Sequence, residues 1–333
     1  MIGSFVRASV LMLIGGAPLL AASPSIHVKG GSIDFKVGDA LVARYHIAKS
    51  VAKPYFWPVH APTGVAVTRA WPMIKKAEAG ERKDHVHQKS AWFCHGDVIP
   101  EGMDLKNKIR GVDGVDFWSE RAGAGKIVCV KVEKPVIKER RASVTTMNEW
   151  RTSSGKKILD EKRVIHLESV ADGYLLTLEI DLCASVVPIT FGDTKEGSMG
   201  VRVRHCMIEK EGGKLESAEG KVGANNLWGR HSVWNDYSGT IPGKKAGQSI
   251  VAGIAIFDDP NNSPKAAWHS RNYGLMAANP FGRARSRFPA VKNSKDLKKL
   301  KKGEHLRLRY GLFTHLGDAK KGKVAAAFEQ FSK

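Results

Sequence analysis

His305-Leu306-Arg307-Leu308-Arg309-Tyr310-Gly311-Leu312-Phe313-Thr314 sets Leu306, Leu308, Tyr310 and Leu312 against Arg307 and Arg309 with a period of two. Successive side chains leave a strand on opposite faces, so this alternation reads as a β-strand with one face buried. Working outward, β-prone runs occupy 32–36, 41–47, 126–136, 142–152, 157–169, 174–184, 201–209 and 250–258. Turns at Val37-Gly38-Asp39, Ser153-Ser154-Gly155 and Ala171-Asp172-Gly173 join neighbouring runs over a few residues, which implies antiparallel pairing. Helical pattern is sparse. Residues 295–302 follow Ser294, an N-cap residue type, and predict one short helix. Residues 323–332 put Val324, Ala327, Phe328 and Phe331 on one stripe and predict a closing helix. Irregular stretches at 51–64, 71–125 and 225–248 concentrate His, Trp, Asn and Asp. The expected fold class is all-β: a large antiparallel β-sandwich with long loops and a short C-terminal helix.

The 333 residues are 42% hydrophobic, enough for a sizeable core and against disorder. Lys and Arg number 53 against 33 Asp and Glu, a net charge of +20 that attracts acidic partners over long range without specifying a fold. Arg7, the apolar stretch 10–22 and the small residues Ala21, Ala22 and Ser23 follow the order of a secretory signal. The expected organisation is a signal peptide over 1–23 and a single sandwich domain over 24–333, periplasmic or secreted. No later run approaches the roughly 20 apolar residues of a spanning helix, so no membrane anchor is expected after signal removal. Cys94, Cys129, Cys183 and Cys206 fit neither zinc nor CxxC spacing, and their pairing stays open. The lysines of 292–302 lack the interleaved aromatics of single-strand binders, so no nucleic-acid partner is expected.

Three stretches could carry chemistry. In Asp84-His85-Val86-His87-Gln88, an extended backbone would put His85 and His87 on one face. There they could move a proton or, given a third ligand, hold a metal ion; no other cofactor is expected. His95 lies in the same region, after Trp92-Phe93-Cys94. In the second stretch, Asp193 and Glu196 flank a flexible turn ahead of Arg202, a pattern suited to fixing a polar ligand or to general-base work. Its glycines do not make the GxxxxGK[ST] phosphate loop. The third combines Trp234-Asn235-Asp236-Tyr237 with Trp268-His269-Ser270-Arg271-Asn272-Tyr273. Rings beside planar polar groups suit a sugar, whose apolar face stacks while its hydroxyls hydrogen-bond. Asn279 either faces a ligand or caps its own turn.

As a set, DHVHQKSAWFCHGDV (84–98), GVDFW (114–118), FGDTKEGSMGVRV (191–203), WNDYSG (234–239), GIAIFDDPNNS (253–263), WHSRNYGLMAANPFG (268–282) and LRLRYGLFTH (306–315) resemble the PmoA-like family of bacterial proteins of unassigned function. The resemblance runs over about 36–316. It implies an exported β-rich domain of the large sandwich type shared with aldose mutarotases. The family's first motif reads DHPHH; here Val86 and Gln88 stand in place of its Pro and last His. The methane-oxygenase label attached to that family implies a multi-span membrane subunit, which a chain without later spans does not match. A copper brace would need histidine at the mature N-terminus, whereas His27 lies a few residues inside.

The expectation is therefore an exported carbohydrate-processing protein, a lyase, epimerase or hydrolase acting on a sugar or sugar derivative. His85 or His87 would move a proton, with Asp193, Glu196 or Asp236 as complementary acid or base. Arg202, Arg271 and His269 would hold oxygens, joined by His95, Tyr273 and Asn279, and Trp92 or Trp234 would form the stacking wall. The alternatives are a non-catalytic glycan-binding sandwich and a metal-dependent oxygenase or hydrolase. Oligomeric state is left open.

Overall fold

The computed structural model describes residues 22–75, 78, 80–107, 109–243 and 247–333. The expected signal peptide lies almost wholly outside the described residues. Among them, one sheet has eight strands, in the spatial order Pro24–Lys29, Ser32–Val37, Ala40–His46, Tyr55–Val59, Ala91–His95, Gly197–Arg202, Leu275–Asn279 and Ala267–Trp268. The other large sheet runs Lys214–Ser217, Trp234–Pro242, Ser249–Asp258, His305–Leu316, Gly173–Cys183, Lys157–Val170, Arg141–Arg151 and Lys126–Val132, with Val136–Lys138 added on Arg141–Arg151. All pairings are antiparallel. The fold is an all-β antiparallel sandwich with a short C-terminal helix, Val324–Phe331.

The alternation in the sequence decides which side chains go inward. Along Arg141–Arg151 every second residue, from Ala142 to Trp150, is buried and its neighbours are half-exposed. In the central strand, Leu308 lies opposite Ile180 and Tyr310 opposite Leu178, all buried, while Arg309 lies opposite Glu179 on the other face. Phe93 and Met199 bring the eight-stranded sheet to the same core, with the Phe93 ring 6.0 Å from Tyr310 and 6.2 Å from Trp150. An ion pair sits inside this apolar layer. Arg163 Nε donates to Glu161 at 2.5 Å and Arg163 Nη1 to Tyr45 at 2.5 Å, while Trp150 Nε1 donates to Glu161 at 2.7 Å. Hydrogen bonds to both charges make such a pair tolerable away from water.

Three local expectations change. Residues 295–302 do not form a helix: Lys298–Leu300 is a strand in a small sheet with Ile189–Phe191 and Val98–Pro100. The run has only Leu297 and Leu300 as apolar residues, too few for a helix to bury a stripe, and strand pairing buries Leu300 opposite Ile189. The strand expected over 201–209 is displaced towards the N-terminus, as Gly197–Arg202, and the chain then turns through short 3-10 segments at His205–Met207 and Glu209–Glu211. The three stretches expected to be irregular all contain strands: Tyr55–Val59 in 51–64, Ala91–His95 and Val98–Pro100 in 71–125, and Trp234–Pro242 in 225–248, the last with Asn, Asp, Ser and Gly residues that hide its β character.

Candidate functional site

The face of the eight-stranded sheet turned away from the nine-stranded one carries a row in register: Tyr55 opposite Trp92, Trp92 opposite Gly200, Gly200 opposite Ala277, and Ala277 paired through its backbone with His269. Small residues in mid-row leave room for Trp118, which lies edge-on to Trp92 at 5.1 Å and nearly parallel to the His269 ring at 6.4 Å. A Cβ on Gly200 would stand 2.9 Å from Trp92 and 3.3 Å from Trp118, so the packing requires glycine here. Trp118 is held by its own backbone. Its N–H donates to Asp116 at 2.7 Å, and its carbonyl accepts from buried Lys53 at 3.0 Å. Lys53 and Lys89 share Glu120, at 2.7 and 2.5 Å.

Above this floor the histidine segment is a turn, not a strand: Gln88 N–H donates to the His85 carbonyl and His85 has a φ of 48°. Buried Arg69 fixes the turn by donating to the carbonyls of Arg82 and Asp84 at 2.6 and 3.1 Å. Arg202, at the end of its strand, donates to Gln88 at 2.5 Å and Asp84 at 3.1 Å. Gln88 thus clamps Arg202 and is itself buried. Tyr273 lies between two groups, stacked on the His85 ring at 5.3 Å and under the Arg202 guanidinium at 4.5 Å. His87 meets His85 edge-on at 5.7 Å and Trp118 at 6.4 Å.

The titratable groups of this cluster are pushed in opposite senses. Burial, reinforced by Lys53, His85, Arg121 and Arg69, lowers the His87 pKa to about 3, so its imidazole is neutral at physiological pH. Burial raises the Glu196 carboxyl above its ordinary value; Lys195, Arg271 and Arg121 oppose that shift and Asp116 adds to it. Trp118 meets His87 on one side and His269 on the other, and His269 bonds the Lys195 carbonyl next to Glu196, which places the two groups in one neighbourhood. His269 is held neutral by burial and by Arg271; its Nδ1 bonds the Lys195 carbonyl at 2.8 Å as donor, which leaves Nε2 a buried lone pair with no partner. The Arg271 guanidinium carbon lies over the Trp228 ring at 3.7 Å.

Residues 32–329 match a family model described as a family of unknown function (DUF6807). The chain belongs to the DUF6807 family. No curated protein matches it in sequence. Among solved structures it is similar to a galactose mutarotase-like protein from Clostridium acetobutylicum, at 10% identity and TM-score 0.39 over 89% of this chain and 99% of that one. It is also similar to a galactose 1-epimerase from Lactobacillus acidophilus NCFM, at 8% identity and TM-score 0.43 over 89% and 100%. A GH36 α-galactosidase, AgaA from Geobacillus stearothermophilus, aligns at 10% identity and TM-score 0.38 over 90% of this chain and 42% of that one.

This DUF6807 chain brings together His85, His87, Trp92, Glu196, Arg202, His269, Arg271 and Tyr273. It puts five other candidates elsewhere. Asp193 accepts the backbone N–H groups of Arg283, Arg285 and Ser286 and the Ser286 hydroxyl, so it anchors that loop. Asp236 is fully buried in the nine-stranded sheet against His315 at 2.8 Å. Trp234 shares that outer face, packed with Phe257, Phe313 and the C-terminal helix. The His95 side chain points into the core, edge-on to Phe281 at 4.7 Å, with Nε2 bonded to the Gly192 carbonyl at 2.9 Å. Asn279 caps its own turn, accepting from Phe281 and Gly282, and ties down Thr194.

Trp118, Asp116, Lys53, Gln88 and Arg121 were missed as site residues; the Asp-x-Trp of 116–118, aromatic and acidic inside a long loop, was the available signal. Among the described residues no group of three or more His, Cys, Asp or Glu is placed to hold a metal ion, so His85 and His87 lack the third ligand a metal site would need. All four cysteines are free thiols. A groove of about 460 Å³ on the outer face of the nine-stranded sheet is lined by Lys162, Glu179, Asp181, Asp259, Arg307 and Arg309. Its arginines are already paired, Arg309 with Asp259 at 2.7 Å and Arg307 with Asp181 at 3.3 Å, which makes it a poor place for chemistry despite its volume.

Proposed function

We propose that this protein is an exported enzyme that moves a proton at a carbon of a sugar or sugar derivative, as a lyase or epimerase does. The observation that carries the reading is that Trp118 and His269 link a neutral, half-buried His87 to the segment of Glu196, a carboxyl that burial biases towards its protonated form. Neighbouring groups with divergent pKa shifts are the arrangement that acid–base catalysis needs. Glycoside hydrolysis through two carboxylates is supported less well. Asp116 is committed to Trp118, Ser119 and the Ser119 hydroxyl, Glu120 to two lysines, and Asp84 to Arg202 and Arg82. Among the described residues Glu196 alone of these carboxylates has no side-chain hydrogen bond or ion pair. Half-exposed Trp228 is the ring of the cluster that keeps surface for a sugar to stack on, whereas Trp92 and Trp118 are fully buried beneath the site and Tyr273 is covered by His85 and Arg202. The apolar leader at 10–22 supports export.

The test is proton exchange and product formation followed by NMR in deuterated water across sugars, sugar acids and their glycosides. Wild type is expected to turn over one class, with His87→Ala and Glu196→Gln slower by roughly 10²–10⁴-fold. A confirmed substrate turned over at an unchanged rate by both variants would remove the proton-transfer roles, and binding with no turnover in wild type would leave a glycan-binding sandwich.

A further inference from the structure

We infer that the ligand of this site carries a carboxylate next to the reacting carbon, making it a sugar acid whose carboxylate is gripped by Arg271 with Arg121 and Lys195 at the rim; this rests on the proton-transfer reading above. The first support is the state of the cations. Arg69, Arg202, Lys53 and Lys89 all spend their charge on carbonyls or carboxylates of the chain. Among the described residues Arg271, Arg121 and Lys195 have no hydrogen-bonded or ion-paired acid. Lys195 adjoins Glu196 in the chain and its carbonyl bonds His269, Arg271 sits on the Trp228 ring that meets His269 at 5.1 Å, and all three cations act electrostatically on Glu196. Arg271 is also held in place: its guanidinium carbon sits 3.7 Å over the Trp228 ring, which restrains a side chain suited to a planar, two-oxygen partner.

The second support is an unpartnered acceptor. His269 Nε2 is a buried acceptor with nothing bonded to it, and the Trp228 ring that carries Arg271 meets the same imidazole at 5.1 Å, so a ligand held by Arg271 sits next to an unmet hydrogen bond. The third is chemical. A C–H on an ordinary sugar carbon is too weakly acidic for an imidazole, whereas one next to a carboxylate neutralised by a guanidinium is acidified. The same carboxylate would offset the cations that depress His87, strengthening the base only when substrate is bound. In the step, His87 takes the proton from that carbon and the electron pair passes into the carboxylate, held by Arg271. It then returns to form a carbon–carbon double bond as the bond from the adjacent carbon to its oxygen breaks, and Glu196 gives its proton to the departing oxygen. In an epimerase the pair returns instead to the proton from Glu196, on the opposite face of the carbon.

Binding and turnover are measured separately on the full chain. Calorimetry compares hexuronates with the corresponding neutral hexoses, hexuronamides and sulfated hexoses, for wild type, Arg271→Gln and the exposed-site variant Arg121→Gln. The expected result is preference for hexuronates, weakened roughly tenfold to a hundredfold in Arg271→Gln and less in Arg121→Gln, with amide binding unchanged. Equal binding of acids and amides, or no loss in either variant, overturns the inference while leaving proton transfer to be judged by turnover. Tighter binding of sulfated neutral sugars overturns the choice of carboxylate. Arg271-dependent hexuronate binding without exchange or product keeps the inference and removes the proposed function instead.

Discussion

Lowering the pH from 7 to 5 should cost this protein about 2 kcal/mol of stability through His87 alone. Its pKa in the fold is about 3, and in the unfolded chain it returns to about 6.5. Between those values the unfolded chain binds a proton that the folded one refuses, so stability rises with pH across the window and is fully present above it. At pH 5 the unfolded histidine is almost wholly protonated and the folded one almost wholly neutral, which gives the figure of about 2 kcal/mol relative to pH 7. Buried His95 and His269 act in the same direction, so the wild-type curve by itself does not isolate His87. His87→Gln does. Urea unfolding of wild type and variant at pH 7 and pH 5 should show their difference in unfolding free energy changing by about 2 kcal/mol in the variant's favour as the pH falls. Parallel curves would mean that His87 is solvated and charged at pH 5, and the neutral base at the centre of the proposed chemistry would be lost with it.

Gly200→Ala should destabilise by about 1–3 kcal/mol, because its methyl meets Trp92 and Trp118, whereas the same change in an open strand is neutral or favourable; urea midpoints with tryptophan near-UV circular dichroism check both energy and ring movement. Arg163→Met should lower stability by about 3–5 kcal/mol, since Glu161 would be left charged among Phe93, Trp150 and Tyr45, and pairing it with Glu161→Gln should recover much of the loss. Asp236→Asn should remove a contribution of opposite sign to that of His87. Burial lowers the His315 pKa, but Asp236 overcomes it and the net shift is upward, so the stabilisation is fully present below about pH 6.5 and lost as pH rises through the folded value. Unfolding of the variant from pH 6 to 9, compared with wild type, measures it.

The sandwich was legible because its strands carry the alternation openly: 306–312 and 142–150 state their inward faces residue by residue. Strand Trp234–Pro242 was not, because Asp236 and Asn235 are buried polar residues bonded to partners far off in sequence, and composition makes them look like a loop. The same limit governed the site. His85, His87, Glu196, His269, Arg271 and Tyr273 could be proposed from residue type, but their convergence depends on strand register and on Trp118 filling the space over Gly200 and Ala277. Asp193 and Asn279 resembled ligand groups for a local reason: short polar side chains that tie loops look the same in sequence as those that tie substrates.

A histidine beside a carboxylate is not by itself a site, and this chain contains the contrast needed to say why. Asp236 and His315 meet at 2.8 Å with both side chains sealed from solvent, and the loop bearing Gly322 closes over the ring. Each charge there is answered by the other, no third molecule can reach them, and the pair tightens in the fold. His87 and Glu196 are the reverse: each is half-exposed, neither has a side-chain hydrogen bond among the described residues, and their surroundings push one towards losing its proton and the other towards keeping it. Such a pair gains nothing for the folded state, since a lowered histidine pKa and a raised carboxyl pKa both record interactions that the charged forms have lost. A fold that elsewhere satisfies a buried Arg163 with Glu161 and Tyr45 has the means to satisfy these two as well. Their lack of partners, beside cations that also lack them, is what a bound acidic sugar would complete.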